Sequence, residues 1–269
     1  KKLKLADWGV ISIISIINIP LILLILEVNE VLNNFFFEIL LAVIVIIFSY
    51  LFTRKKQLFS AKEDLKKIIY IGVLSVFVIF FWVGFEQAGG SLTLFANNSV
   101  DRNFLGFIIP ASFFQSINPL IIILIGPMIA NFWLRVDRSK NNINTPQKMG
   151  LGLLLLAGGF FLITVVNSAS DTSISLWWLV GVYFLHTLGE LCLSPIGLSM
   201  VSKVSPKKIA SLMMGFWFLS SAVANFMAGK LPAVLESNNL DLFTFLTVTS
   251  VVAGLLLLLI SKFMEKLVK

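Results

Sequence analysis

The sequence predicts an all-α integral membrane protein of about eight spans, and three observations carry that reading. First, 58% of the 269 residues are hydrophobic and only 13% are charged, too few charges to cover a water-facing domain of this size. Second, eight apolar segments can be marked, near 8–26, 35–53, 68–95, 104–134, 147–167, 176–201, 209–230 and 241–261. Each is long enough to cross a hydrocarbon core of about 30 Å as a helix. Third, the basic residues fall on alternate sides. Three lysines precede the first segment, six Lys or Arg lie in 54–67, four in 135–148, three in 203–208 and three in 262–269, leaving only Arg102 and Lys230 of the 21 for the other side. The positive-inside rule places the basic side in the cytoplasm, with both termini of this chain there, and the cell membrane as its location. The net charge of +7 is thereby a topology signal, and nucleic acid is not expected as a partner.

The first two spans are dominated by Ile, Leu and Val over 10–26 and 39–48, with Ser12, Ser15 and Asn18 as internal polar residues. Such helices can face lipid over most of their surface. The charged stretch 54–67 (RKKQLFSAKEDLKK) then separates a two-helix hairpin, 1–65, from a second domain, 66–269. The third span reads FFWVGFEQAGGSLTLF and sets Trp82, Glu86 and Gly90 at i, i+4 and i+8 on one helical face. In the fourth, Gln115, Ser116 and Asn118 precede Pro119, which removes a backbone donor and is expected to open the helix beside two amides. The fifth holds GLGLLLLAGGF, whose small residues suit close helix contact. Along the sixth, Tyr183, His186 or Thr187, Glu190, Ser194 and Gly197 form one stripe of polar and small residues. The seventh places Trp217, Ser221 and Ala224 or Asn225 on a shared face, and the eighth is an apolar closing span.

Of the 14 acidic residues, only Glu86 and Glu190 fall well inside a span; Glu38 lies near a span end. A carboxylate at the bilayer centre costs about 2.5–3.5 kcal/mol on insertion scales, so each should face a bundle interior or a watery cavity. No Lys or Arg lies at comparable depth, and a cationic partner must come from outside these residues. A carboxyl group in that position is one that can carry a proton. The plainer reading, two carboxylates kept only for packing, is disfavoured by the small and polar residues flanking both.

Several neighbours read as structural. His186 suits a hydrogen-bonded packing role better than a proton carrier, and Trp177 and Trp178 suit an interfacial belt. Trp82 and Trp217 serve equally well as bundle packing or as pocket walls, while Gln115 and Asn118 are better placed to touch a solute than only to satisfy backbone near Pro119. An intramembrane serine hydrolase is excluded. Ser194 and His186 stand eight residues apart, about 12 Å along a helix axis, and Ser194 is in no Gly-x-Ser-x-Gly turn. No enzyme activity and no catalytic residue is expected. A single Cys and a single His leave no cysteine cluster or structural zinc site, and no metal or cofactor is expected. The first apolar stretch is longer than a signal-peptide core, and the start at Lys1 suggests a piece of a longer chain.

The segments FFWVGFEQAGGSLTLFAN, FQSINPL, LHTLGELCLSPIGLSMVSK and MMGFWFLSSAVANFMAG, in that order, resemble the proton-dependent oligopeptide transporters, the POT or PTR family of the major facilitator superfamily. The resemblance covers about 66–269; residues 1–65 are similar in position and character to the two helices that bacterial members insert between their halves. It implies a C-terminal six-helix major-facilitator bundle preceded by a two-helix hairpin, with binding residues near the middle of two inverted three-helix repeats. It also implies that the chain is the C-terminal part of a proton-coupled symporter of di- and tripeptides. By resemblance Glu190 meets the peptide amino terminus and takes part in proton coupling, and Glu86 pairs with an arginine of the other half as a gate. Asn118, Trp217 and Ser221 line the peptide pocket, with Trp82 and Gln115 as additional candidates. The family's N-terminal ExxER-type motif is absent here, so the missing six-helix half joins peptides, protons and the lipid bilayer among the expected partners. A major-facilitator symporter for another small solute, or a non-transporting membrane module or scaffold, are the competing readings. Glu86, Glu190, Asn118, Trp217 and Ser221 are expected to converge on one concave face.

Overall fold

A computed structural model describes residues 62–139, 143–169 and 173–268; the two spans expected within 1–65 lie outside the described residues. Helix α1, Lys62–Phe85, closes in a 3-10 turn, Glu86–Gly89, and the chain resumes as α2, Ser91–Ser99. Two-residue strands follow: β1, Val100–Asp101, β2, Asn103–Phe104, and β3, Phe107–Ile108. A 3-10 turn, Ala111–Ser116, leads into α3, Ile117–Arg138. Then come α4, Thr145–Ala169; β4, Ile174–Ser175; α5, Leu176–Val204; α6, Ala210–Ser237; and α7, Leu242–Glu265. Among the described residues, six helical stretches are long and apolar enough to cross a membrane, one for each span expected after residue 66. From Lys66 onward they belong to one compact unit.

Three elements differ from the sequence expectation. The third span is broken: Gly90 takes φ −117° and ψ −95°, outside helical space, after a second glycine that also weakens the helix. Trp82, Glu86 and Gly90 therefore do not share one continuous helical face. The start of the fourth span, 104–110, is a tight hairpin, with Leu105 at φ 52° and Gly106 at φ 86° turning the chain between β2 and β3. Helix α3 begins only at Ile117, so Pro119 sits in its first turn, where a missing N–H forfeits no intrahelical bond. The helix changes from 3-10 to α just before this proline. Among the described residues, prolines stand in helix interiors at Pro127 in α3, Pro195 in α5 and Pro232 in α6.

Helix α4 makes the most extensive contacts, packing against α7 on one side and α5 on the other. Lipid tails are as apolar as leucine, so association depends on close fit rather than on expelling water. Glycines supply that fit. A Cβ on Gly152 would stand 2.7 Å from the Gly189 carbonyl oxygen, and the reverse clash is equally short, so the α4 and α5 backbones touch there. Phe81, Leu153, Leu156, Phe160, Leu193 and Leu257 fill the remaining interior. At the basic end, Lys148 pairs with Asp137 and lies 5.0 Å from the centroid of Trp133, closing the α3–α4 connection. At the opposite end β1 and β4 pair in parallel, Val100 beside Ile174. The outer surface carries large apolar side chains such as Ile123, Met128, Leu259 and Phe263, which suit lipid.

This packing predicts an asymmetry between glycines. Gly152→Val should destabilise the purified protein by about 1–3 kcal/mol, seen as a lower melting temperature, because the α4 and α5 backbones must separate. Gly181→Ala, where a Cβ meets nothing within 4 Å, should leave the melting temperature unchanged or raise it slightly.

Candidate functional site

Glu190 lies at the middle of the 29-residue α5. Residues spaced three and four apart on that helix share a face, and Tyr183, Thr187 and Glu190 turn theirs toward α3 and the break after α1. Asn118, in the first turn of α3, spends both amide hydrogens there. Its Nδ2 donates to Glu190 Oε2 at 2.8 Å and to Thr187 Oγ1 at 3.1 Å. The Thr187 hydroxyl in turn donates to the Tyr183 carbonyl at 2.7 Å. Held through Oε2 by an amide that is itself fixed on Thr187, the half-buried Glu190 carboxyl group keeps one orientation.

A second polar group lies at the break. The Ala88 carbonyl accepts from the Thr93 hydroxyl at 2.9 Å and from the Tyr183 hydroxyl at 3.4 Å. Gln115 donates through Nε2 to Thr93 Oγ1 at 3.0 Å. Backbone leaving a helix in apolar surroundings must find partners within the protein, and these side chains supply them. Gln115 thus braces the turn before α3 against α2. Glu86 is exposed on the break. Among the described residues neither carboxylate forms an ion pair.

The remaining candidates take separate places. Trp217 is 4% exposed and lies against α5 at Gly197, where a Cβ would stand 2.4 Å from its Cζ2. Ser221 follows one turn later, half-buried. Trp82 packs edge-on against Phe81 and Phe85, with ring centroids 5.7 and 5.2 Å apart. His186 leaves the stripe. Successive helical residues point about 100° apart, so Thr187 faces α3 while His186 faces α4. There Gly159 leaves room for the imidazole, and the Phe160 ring is 4.5 Å away. The single stripe expected on α5 is therefore two faces, a polar one toward α3 and a packing one toward α4. Gln87, which sequence reasoning does not single out, is buried at 2% exposure and bonds across to α6. Its only signal in the sequence is a distant proline, Pro232, whose relevance requires the fold.

Six apolar helices and an internal, amide-held carboxylate define a multi-pass helical membrane protein. The sequence profile of the POT family matches residues 6–247, and the chain belongs to that family. The peptide transporter YePEPT of Yersinia enterocolitica is 34% identical over 230 residues, covering 82% of this chain and 44% of that protein. Dipeptide and tripeptide permease A of Escherichia coli is 31% identical over 183 residues, covering 67% of this chain and 36% of the permease. A crystal structure of a peptide transporter POT in complex with sulfate superposes with a TM-score of 0.74 at 29% identity, over 99% of this chain and 55% of that one. The chain thus spans about half the length of the relatives it matches.

The contact of Trp217 with Gly197 yields a spectroscopic test. Gly197→Ala should displace the indole, moving the Trp217 share of the fluorescence, isolated by difference against Trp217→Phe, to longer wavelength and greater quencher access. An unmoved Trp217 contribution would show that the ring does not rest on α5 at that position.

Proposed function

We propose that this chain forms the C-terminal part of a proton-coupled symporter of di- and tripeptides, with residues 66–269 as the transporting bundle and 1–65 as an inserted two-helix hairpin. The observation that carries the proposal is Glu190, central in α5, oriented by Asn118 and lacking a cation among the described residues. A zwitterionic peptide needs an anion for its ammonium group and cations for its carboxylate. Glu190 offers the first, and the complementary six-helix half would offer the second. Membership of the POT family and the peptide-transporting names of its relatives support this substrate class.

In this reading Asn118 keeps Glu190 aimed at the ligand, and Trp217 and Ser221 line the wall on α6. Glu86, exposed on the break, pairs with a cation of the other half. Loading a proton on either carboxylate removes its charge and releases whatever cation it held, shifting the balance between inward-open and outward-open states. The basic helix ends would face the cytoplasm, with both termini of the chain on that side.

The test separates the two carboxylates in the complete transporter. Glu190→Gln keeps the shape and removes the charge, so dipeptide affinity measured by calorimetry should fall roughly ten- to a hundred-fold, about 1.5–3 kcal/mol for a charge-assisted bond. Glu86→Gln should change affinity less than about threefold while abolishing proton-driven uptake into proteoliposomes, since it alters the gate and leaves the pocket. Equal affinity losses, or a fully active Glu86→Gln transporter, would refute this division of roles.

A further inference from the structure

A proline inside a helix has no N–H, so the carbonyl four residues earlier loses its helical donor. For Pro232 in α6 that carbonyl belongs to Ala228, which is buried. The Nε2 of Gln87 donates to this oxygen at 3.0 Å across 141 residues of sequence. The same nitrogen donates to the Val83 carbonyl at 3.1 Å, and the Gln87 Oε1 accepts from the Ser91 hydroxyl at 2.7 Å. Both amide hydrogens are therefore used, in a side chain sealed from its surroundings. Val83 and Ser91 lie on opposite sides of the break at Glu86–Gly89. Ala228 lies two helical turns beyond Ser221 and three beyond Trp217, on their face of α6.

We propose that Gln87 is a positioning residue: its side-chain amide stands in for the N–H that Pro232 lacks, clasping α6 to the chain break beside Glu86. One small group thereby spans the break, satisfies the kink in α6 and fixes the spacing between Glu86 and the Trp217–Ser221 face. A hydrocarbon, or a side chain too short to reach, leaves the Ala228 oxygen buried without a donor, and such groups are costly in apolar surroundings. The consequence for transport rests on the peptide-symport reading above. With the clasp gone, the break and α6 move separately and fewer cycles complete, while the Asn118–Glu190 pair is untouched.

The experiment is a double-variant cycle in the complete transporter, comparing Gln87→Leu, Pro232→Ala and the two together by dipeptide uptake and by melting temperature. Pro232→Ala returns an ordinary helix bond to Ala228 and so removes the task of Gln87. The expected result is one shared loss: Vmax falls about tenfold in each single variant and in the double, with KM within about twofold of wild type. Gln87→Leu should lower the melting temperature distinctly more with Pro232 present than in the Pro232→Ala background, where only the Val83 and Ser91 bonds are lost. If Gln87→Leu alone is too unstable to purify, its recovery in the Pro232→Ala background supports the clasp equally, and continued failure there counts against it. Losses in Vmax that multiply to about a hundredfold, a Gln87→Leu transporter with wild-type Vmax, or a double variant less stable than either single one would overturn the proposal. A wild-type protein that transports no peptide would defeat the substrate reading instead, and the melting-temperature cycle would then decide the clasp.

Discussion

A carboxylate held halfway along an apolar helix constrains everything near it. Glu190 cannot face hydrocarbon without a cost of several kcal/mol, so α5 must turn that side toward polar company. Asn118 provides it, and to do so α3 must begin where it does, with its first turn beside the middle of α5. The preceding 3-10 turn, the Gln115–Thr93 bond and the break that exposes Glu86 are the geometry by which the chain arrives there. On the opposite side of α5 the constraint is close fit, met by Gly152 against Gly189 and by Gly159 beneath His186. The helix is thus pinned on one face by packing and turns a polar face to the other side.

Much of the irregular backbone adjoins that polar side. Glu86–Gly89 is a 3-10 turn, Ala111–Ser116 is another, and Pro232 interrupts the hydrogen-bond ladder of α6. In a membrane such defects persist only where protein groups satisfy them. Tyr183 and Thr93 at the Ala88 carbonyl, and Gln87 at the Ala228 carbonyl, are those groups. A straight helix would spend the same carbonyls internally and would leave no reason for these side chains to converge. The α4–α7 pair, by contrast, is regular and glycine-fitted at Gly150 and Gly254, which gives the irregular side something rigid to work against.

The span pattern is legible in the sequence because apolar length and Lys/Arg placement are local, additive signals. Glu86 and Glu190 are legible because a carboxylate in such a segment stands out by its energetic cost alone. Pro119 misleads, since only the true start of α3 shows that this proline sits where no bond is lost. The hairpin at 103–108 is hidden by its own hydrophobicity, as Phe104, Leu105, Phe107 and Ile108 read as helix in composition while Leu105 and Gly106 carry the turn. His186 reads as a member of the polar stripe because a single residue, about 100° of rotation, separates it from Thr187. Gln87 is invisible for a different reason: its partner is a backbone oxygen whose need for a donor depends on a proline in another helix.

The claim on which the rest turns is that the α5 face around Asn118 and Glu190 receives the peptide amino group. The most direct measurement is photolabelling of the complete transporter with a dipeptide carrying a diazirine in its first side chain, followed by mass-spectrometric mapping. The account predicts adducts within 114–121 and 183–194 that excess unlabelled dipeptide suppresses and N-acetylated dipeptide, which has no ammonium group, does not. Adducts confined to outward-facing positions such as Leu255 and Leu259, or equal suppression by the acetylated competitor, would contradict it.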